Sequence, residues 1–468
     1  MFKRFKDKYI GDRLFYRNVM LVAIPIMIQN GITNFVNMLD NIMVGRLGNV
    51  EMTGVSIVNQ LMFVFNLTIF GAVAGAGIFT AQFFGKKDDK GIRATFRYKI
   101  ITSLLITAIG IIVMLFFGET LIKLYLTGEG SAEEISQSLV FAKQYLKIML
   151  IGIVPFALTQ AYSGTLRETG ETMMPMKAGI VSVCVNFVFN LLLIFGYLGF
   201  PRLGVAGAAL ATVIARFTEL AFIAYVTHKN VDKYKFINGA YRSLKIPRKL
   251  AFEITKKCIP LMLNETLWSG GMAVLVQCYS VRGYYVVSAL NINSTVSNVF
   301  NVSFIAMGSA IAIIIGQLLG RGDTEEAVSS VRKLTVFSVL LCSAVGVVMA
   351  LFSPLFPLIY KTGDDVRTLA AQFIMCSAVC MPIHALANAC YFTLRSGGKT
   401  MITVIFDSCF VWMISVPLAF FLSRYTSIPV VPLYLICTAI DIIKCAIGLV
   451  MIKKGIWINN IVDGQKVE

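Results

Sequence analysis

Twelve stretches of mostly apolar residues follow one another along this chain, and each is long enough to cross the roughly 30 Å hydrocarbon core of a bilayer. They run at about 19–43, 52–80, 98–117, 137–160, 176–196, 205–227, 257–280, 290–315, 335–353, 368–392, 401–423 and 431–452. Lipid offers no partner to a backbone N–H or C=O, so a spanning segment must satisfy those groups itself, as a helix does. The expected fold class is therefore an all-α polytopic membrane protein with twelve transmembrane helices. Composition agrees: 57% of residues are hydrophobic and 14% charged, against about 45–50% and about 25% in soluble domains.

The net charge of +17 would point to nucleic acid if it were gathered on one soluble domain. Here the basic residues alternate with the apolar runs. Most of them fall in connecting segments that become cytoplasmic when both termini are placed inside, as the positive-inside rule requires. That predicts a multi-pass protein of the cell (plasma or inner) membrane with no nucleic-acid partner. The first 18 residues are basic and the first apolar run is full length, so no cleavable signal peptide is expected.

The chain repeats itself. A shift of 235 brings Pro25 onto Pro260, Asn66 onto Asn301, Gln82 onto Gln317, Gly85 onto Gly320, Asp88 onto Asp323 and Arg97 onto Arg332. "TLRETGET" (165–172) likewise matches "TLRSGGKT" (393–400). The unit contains six spans, an even number, so both copies enter the membrane in the same sense. The expectation is two parallel six-helix repeats related by an axis along the membrane normal. Their limits read as an N-lobe at 1–230, a basic cytoplasmic linker at 231–256 and a C-lobe at 257–468.

Several suggestive motifs fail. "GGKT" (397–400) has Thr393 where a phosphate-binding loop needs its first glycine, and it joins two apolar segments rather than following a strand. "GAVAGAG" (71–77) suits close helix packing through Gly71 and Gly75 better than dinucleotide binding. The ten cysteines lie almost entirely within apolar runs and show no metal-ligand spacing, so they read as small buried hydrophobes. No catalytic serine, histidine and carboxylate set is evident, so the chain is read as no enzyme.

The informative residues are polar ones inside the spans. A carboxylate at the centre of a spanning helix costs roughly 2.5–3.5 kcal/mol on insertion scales, and Asp40 sits in the first span. Asn30, Asn34, Asn37 and Asn41 recur at spacings of four, three and four, which aligns them on one helix face with Asp40 at its edge. Span 5 carries Asn186 and Asn190, and span 6 carries Thr212. Carboxylate, amide and hydroxyl oxygens suit a hard cation, or cradle a protonatable carboxylate. In the second half, Glu265 has Trp268 nearby and Asp407 has Trp412, the pairing of acid and aromatic that an organic cation favours. Arg216 and Glu219 are three apart in span 6, and Asp441 and Lys444 are three apart in span 12. A shift of 225 superposes the two pairs with their signs exchanged. That spacing permits pairing along each helix, and the reversed signs also permit pairing between lobes.

With these residues in place, the chain resembles the multidrug and toxic compound extrusion (MATE) family of cation-coupled exporters with two six-helix lobes. The likeness is carried by "AIPIMIQNGITNFVNMLDNIMVGRLG", "TLRETGET", "NFVFNLLLIFG", "GVAGAALATVIA" and their second-half counterparts, and it extends over essentially the whole chain. It implies an N-lobe cation site at Asp40, Asn186, Asn190 and Thr212, with Asp40 as the possible Na⁺ ligand. Some members carry a second aspartate in span 5, where this chain has asparagines. Glu265 lies about one turn from the span 7 acid of some members, and Asp407 lies in span 11 rather than span 10. The implied function is export of amphipathic, cationic small molecules in exchange for Na⁺ or H⁺ by alternating access, with no cofactor beyond the coupling ion. Asn34, Asn37, Glu265, Trp268, Asp407 and Trp412 are the expected substrate contacts, and a monomer in the lipid bilayer is the expected state. Two other readings stay open: a lipid-linked precursor flippase of the same broad superfamily, and a membrane-embedded enzyme.

Overall fold

The computed structural model describes residues 9–126, 131–360 and 362–463. The two chain ends expected on the cytoplasmic face lie outside these limits. Twelve helices among the described residues are long and apolar enough to cross a membrane, and no strand occurs among them. In chain order they are α1 (Arg13–Gly45), α2 (Asn49–Gly85), α3 (Asp89–Tyr125), α4 (Ala132–Glu168), α5 (Met173–Phe195) and α6 (Val205–Lys229). The second six are α7 (Arg248–Ser280), α8 (Tyr284–Arg321), α9 (Thr324–Phe352), α10 (Asp364–Ser396), α11 (Thr400–Tyr425) and α12 (Val430–Lys453). Most overrun the spans read from hydropathy. A window of apolar residues reports only the part of a helix that suits lipid, and the polar turns beyond it stay helical.

The chain divides into two compact units. One holds the described residues up to Met27, Ala81–Asp88 and those from Ile254 on; the other holds Ile28–Thr80 and Asp89–Glu253. In the second unit α4 packs on α3 and α6, and α6 packs on α5. In the first, α10 packs on α8, α9 and α12. The repeat pairs α4 with α10, so each unit is built around its fourth helix. Prolines recur at matching places, Pro25 and Pro260 within α1 and α7, and Pro155 and Pro382 within α4 and α10. A proline leaves the carbonyl four residues earlier without its helical donor, which spanning helices tolerate because neighbouring groups re-satisfy it.

A reciprocal contact displays the repeat most directly. Inside the first unit, a Cβ on Gly85 would lie 2.0 Å from the carbonyl oxygen of Gln317, and one on Gly320 would lie 1.9 Å from that of Gln82. The shift of 235 that exchanges Gly85 with Gly320 also exchanges Gln317 with Gln82, so the contact is reciprocal. Gln82 is fully buried. Its amide nitrogen donates to the carbonyls of Ser396 (3.1 Å) and Asn459 (3.2 Å), and its oxygen accepts from the Ile461 N–H (2.8 Å). The segment after α12 is held there, with Trp457 buried beneath it. In the other unit the basic segment after α6 is also seated. Arg97 donates to the carbonyls of Ala240 (2.7 Å) and Gly239 (2.8 Å), and Arg93 to that of Phe236 (3.2 Å).

The exterior is apolar, with Phe116, Leu351 and Ile359 among the most exposed side chains. The interior, by contrast, encloses Lys99, Asn190, Asn264 and Lys444. That inversion of the soluble pattern is what lipid as solvent imposes.

Candidate functional site

The Asp40 cluster forms within the second unit from three helices. Asp40 lies near the end of α1, one turn before the buried Met43 and Val44. The α5 pair Asn186 and Asn190 is one turn apart, so both amides point the same way, and both are buried. Asn190 Nδ2 donates to Asp40 Oδ1 at 2.5 Å and to Asn186 Oδ1 at 3.0 Å; Asn186 Nδ2 reaches Thr212 Oγ1 of α6 at 3.4 Å. An ionised carboxylate only accepts hydrogen bonds, so the amide beside it must present its NH₂. This orientation leaves Asn190 Oδ1 buried and without a hydrogen-bond partner. An unpartnered buried oxygen next to a carboxylate is a costly arrangement, and together the two oxygens could hold a small cation.

Asp40 and the three residues expected around it are thus brought together. Tyr145 of α4 lies within electrostatic reach of Asp40 and donates to Asn59 Oδ1 of α2 at 3.3 Å. No sequence pattern flagged Tyr145, because a lone tyrosine in an apolar helix looks like core. Of the asparagine stripe, Asn30 and Asn34 are half-buried, while Asn37 and Asn41 are exposed. One carboxylate with neutral oxygens balances one monovalent charge. No group of three or more His, Cys, Asp or Glu side chains among the described residues could hold a metal.

Deeper in the same unit lies a second polar set. Arg216 donates to the Gly152 carbonyl (3.2 Å) and sits 5.0 Å from the centre of the Phe156 ring. Arg167 donates to Gln29 Oε1 at 2.6 Å and stands near Glu219. Lys99 forms an ion pair with Glu168, and its ammonium also reaches Thr165 Oγ1 at 3.2 Å.

The corresponding set in the first unit is where sequence reasoning fell short. Asp407 pairs with Lys444 of α12, and its other oxygen accepts from Asn264 Nδ2 at 3.2 Å. Ser408 Oγ donates to Asn264 Oδ1 at 2.7 Å. Asp441, three residues before Lys444, faces His384 at 3.5 Å instead of closing a bridge along its own helix. Glu265 is half-buried on α7, within electrostatic reach of Arg395 and Asp407. Trp268 and Trp412 are partly exposed, and Trp412 Nε1 donates to the Leu267 carbonyl at 2.8 Å. The Trp412 indole is thus spent on the α7 backbone, and Asp407 is committed to a lysine rather than paired with that indole. The shift of 225 maps Glu219 onto Lys444 and Ser182 onto Asp407, which aligns the two positions without saying which charges meet.

Comparisons with known proteins now bear on this geometry. The MatE family model matches residues 25–192 and 260–421. "Probable multidrug resistance protein NorM" of Thermotoga maritima is 24% identical over 447 residues, covering 94% of this chain and 93% of that protein. "Probable multidrug resistance protein YoeA" of Bacillus subtilis is 22% identical, covering 89% and 88%. Among solved structures, "Crystal structure of MATE in the straight conformation" superposes with a TM-score of 0.84 at 19% identity, covering 95% of this chain and 96% of that one. Another, described as "Reverse polarity of binding pocket suggests different function of a MOP superfamily transporter", from Pyrococcus furiosus, gives 0.81 at 18% identity over 95% and 96%. Such likenesses establish the fold. The charge a pocket selects is a matter of its own side chains.

Proposed function

Because the chain belongs to the MatE family, we propose that it is a secondary active exporter of amphipathic, cationic compounds, driven by inward exchange of Na⁺ or H⁺ at Asp40. The observation that carries this reading is the Asp40 carboxylate held by Asn190, whose own carbonyl oxygen is buried and unpartnered beside it. Asn186 and Thr212 complete the oxygen set. The Ala208 carbonyl holds the Thr212 hydroxyl in place at 3.1 Å. Occupancy neutralises the carboxylate and shifts the balance between inward- and outward-open states, which requires that the cation bind the two unequally. The multidrug resistance relatives support the class of cargo. Glu265 with Trp268 and Trp412 is the natural attraction for its positive charge, and Asn34 and Asn37 are polar contacts on α1.

The test is Asp40→Asn, which keeps side-chain size and removes the charge. In sealed vesicles with Na⁺ and proton gradients imposed separately, this variant should insert and fold normally yet show no gradient-driven efflux. Efflux at the parental rate from correctly folded Asp40→Asn protein would remove the assignment. The parental response to each gradient identifies the coupling ion.

A further inference from the structure

Within the unit formed from Ile254 on, three acids and three bases lie embedded in spanning helices: Glu265, Asp407 and Asp441 against His384, Arg395 and Lys444. Lys444 is buried, and its partner is Asp407. Its ammonium lies 5.4 Å from the centre of the Phe406 ring, adding a cation–π contact. Asp407 in turn accepts from Asn264, which Ser408 and Tyr391 hold (2.7 and 3.3 Å). The carboxylate is therefore fixed on both oxygens, one of them by a full positive charge.

The helix bearing Asp407 is itself altered at this point. α11 opens into wide π-type turns over Ile405–Cys409 and again over Val411–Ser415. Such turns insert an extra residue and cluster where a side chain has to be re-aimed for function. No proline or glycine lies in either segment; Pro417 just beyond them leaves the Met413 carbonyl of the second without its helical donor, whereas the first has no such cause, and it carries Asp407 beside Asn264 and Lys444.

The matched position in the other unit sharpens the contrast. There Ser182 and Glu219 stand where Asp407 and Lys444 stand here; Ser182 Oγ donates to the Ala215 carbonyl at 3.0 Å, and Glu219 lies within electrostatic reach of Arg167 and Arg216. The sign of the α6 and α12 residue is reversed, and the partner helix has changed with it.

We propose that Lys444 is a tethered cation. Its ammonium occupies the place at Asp407 that a cation from solution would otherwise take, so this carboxylate neither exchanges an ion nor receives the cargo's charge. Coupling is then left to Asp40, a statement that rests on the assignment of Asp40 above. Lys444 acts through Asp407 and is a positioning residue. It makes Glu265 the carboxylate available to a cationic substrate in this half.

The experiment compares Asp407→Asn, Lys444→Met, the double variant and Lys444→Arg in sealed vesicles, titrating the driving cation. Asp407→Asn strands a buried ammonium and should lose roughly tenfold or more of the efflux. The double variant removes both charges and should return to within about twofold of the parent, for cationic cargo and with unchanged cation dependence. Lys444→Met alone frees Asp407 and adds a second ion requirement, so the Hill coefficient for the driving cation rises toward about two. Lys444→Arg keeps the charge and the parental coefficient. If folded, inserted double-variant protein is as inactive as Asp407→Asn, Asp407 has an ion or cargo role of its own and the proposal falls. Should Lys444→Met fail to fold, rescue of Asp407→Asn by the double variant decides the matter. Neither readout involves Asp40→Asn, so failure there leaves this result separately interpretable.

Discussion

Gln82 shows how tightly a single buried amide can be committed: both donors and its acceptor are used, each on a backbone group. Gln82→Ala would strand two carbonyls and one N–H, each worth about 1–3 kcal/mol when buried and unpaired. Its expected effect is a clearly lowered melting temperature in detergent and release of the segment after α12, measured by protease accessibility; an unchanged melting curve would contradict the contact. Glu265→Gln belongs to the same scale. Removing its charge should weaken cationic substrates more than neutral ones of similar shape, because attraction in a low-dielectric site far exceeds that in water. Equal loss for both classes would give Glu265 a structural role instead. Asp40 and its amides were legible from residue type and helical spacing alone, since polar groups in lipid-spanning helices must have a use. Tyr145 and His384 were not, and Lys444 was legible as a buried charge but not as the partner of Asp407, because these roles come from what faces each residue across a helix interface.

At the scale of elements, the reciprocal approach of α2 and α8 depends on two residues lacking a side chain. Gly320→Val would drive its Cβ into the Gln82 carbonyl, a backbone atom 1.9 Å away that cannot swing aside. Overpacking of this kind costs typically 1–3 kcal/mol and occasionally more. Gly320→Val should therefore fall in yield and melting temperature, and Gly85→Val should match it because the contact is reciprocal. A pronounced effect from only one of the two would argue against the reciprocal packing. The helices were readable from apolar length, and the pairing of Gly85 with Gly320 from the repeat. The π-type turns of α11 were invisible in advance. "IFDSCFVWMIS" contains no proline or glycine, and Pro417 just beyond it bears only on the second of the two.

For the whole molecule, the remaining question is orientation. The basic segment after α6 should be cytoplasmic and the turn between α5 and α6 external, because lysines and arginines resist translocation. Lys235 and Leu198 are both exposed. Single cysteines at these positions in a cysteine-free background should react with an impermeant reagent from opposite sides: position 198 in intact cells, position 235 only after permeabilisation. The reverse pattern would invert the topology and move the Asp40 cluster to the opposite half of the bilayer.

Twelve helices, their duplication and the polar residues set within them could be read from the order of residues alone. Each follows from one dimension of information: apolar length, a constant shift, a spacing of three or four. Tertiary structure alone decided how the buried charges are shared. Shift and spacing left Asp441 and Lys444 free to pair along one helix, yet Lys444 went to Asp407 on α11 and Asp441 to His384 on α10. Charges removed from water bind whichever opposite charge the packing brings nearest, and that choice is made between helices distant in the chain.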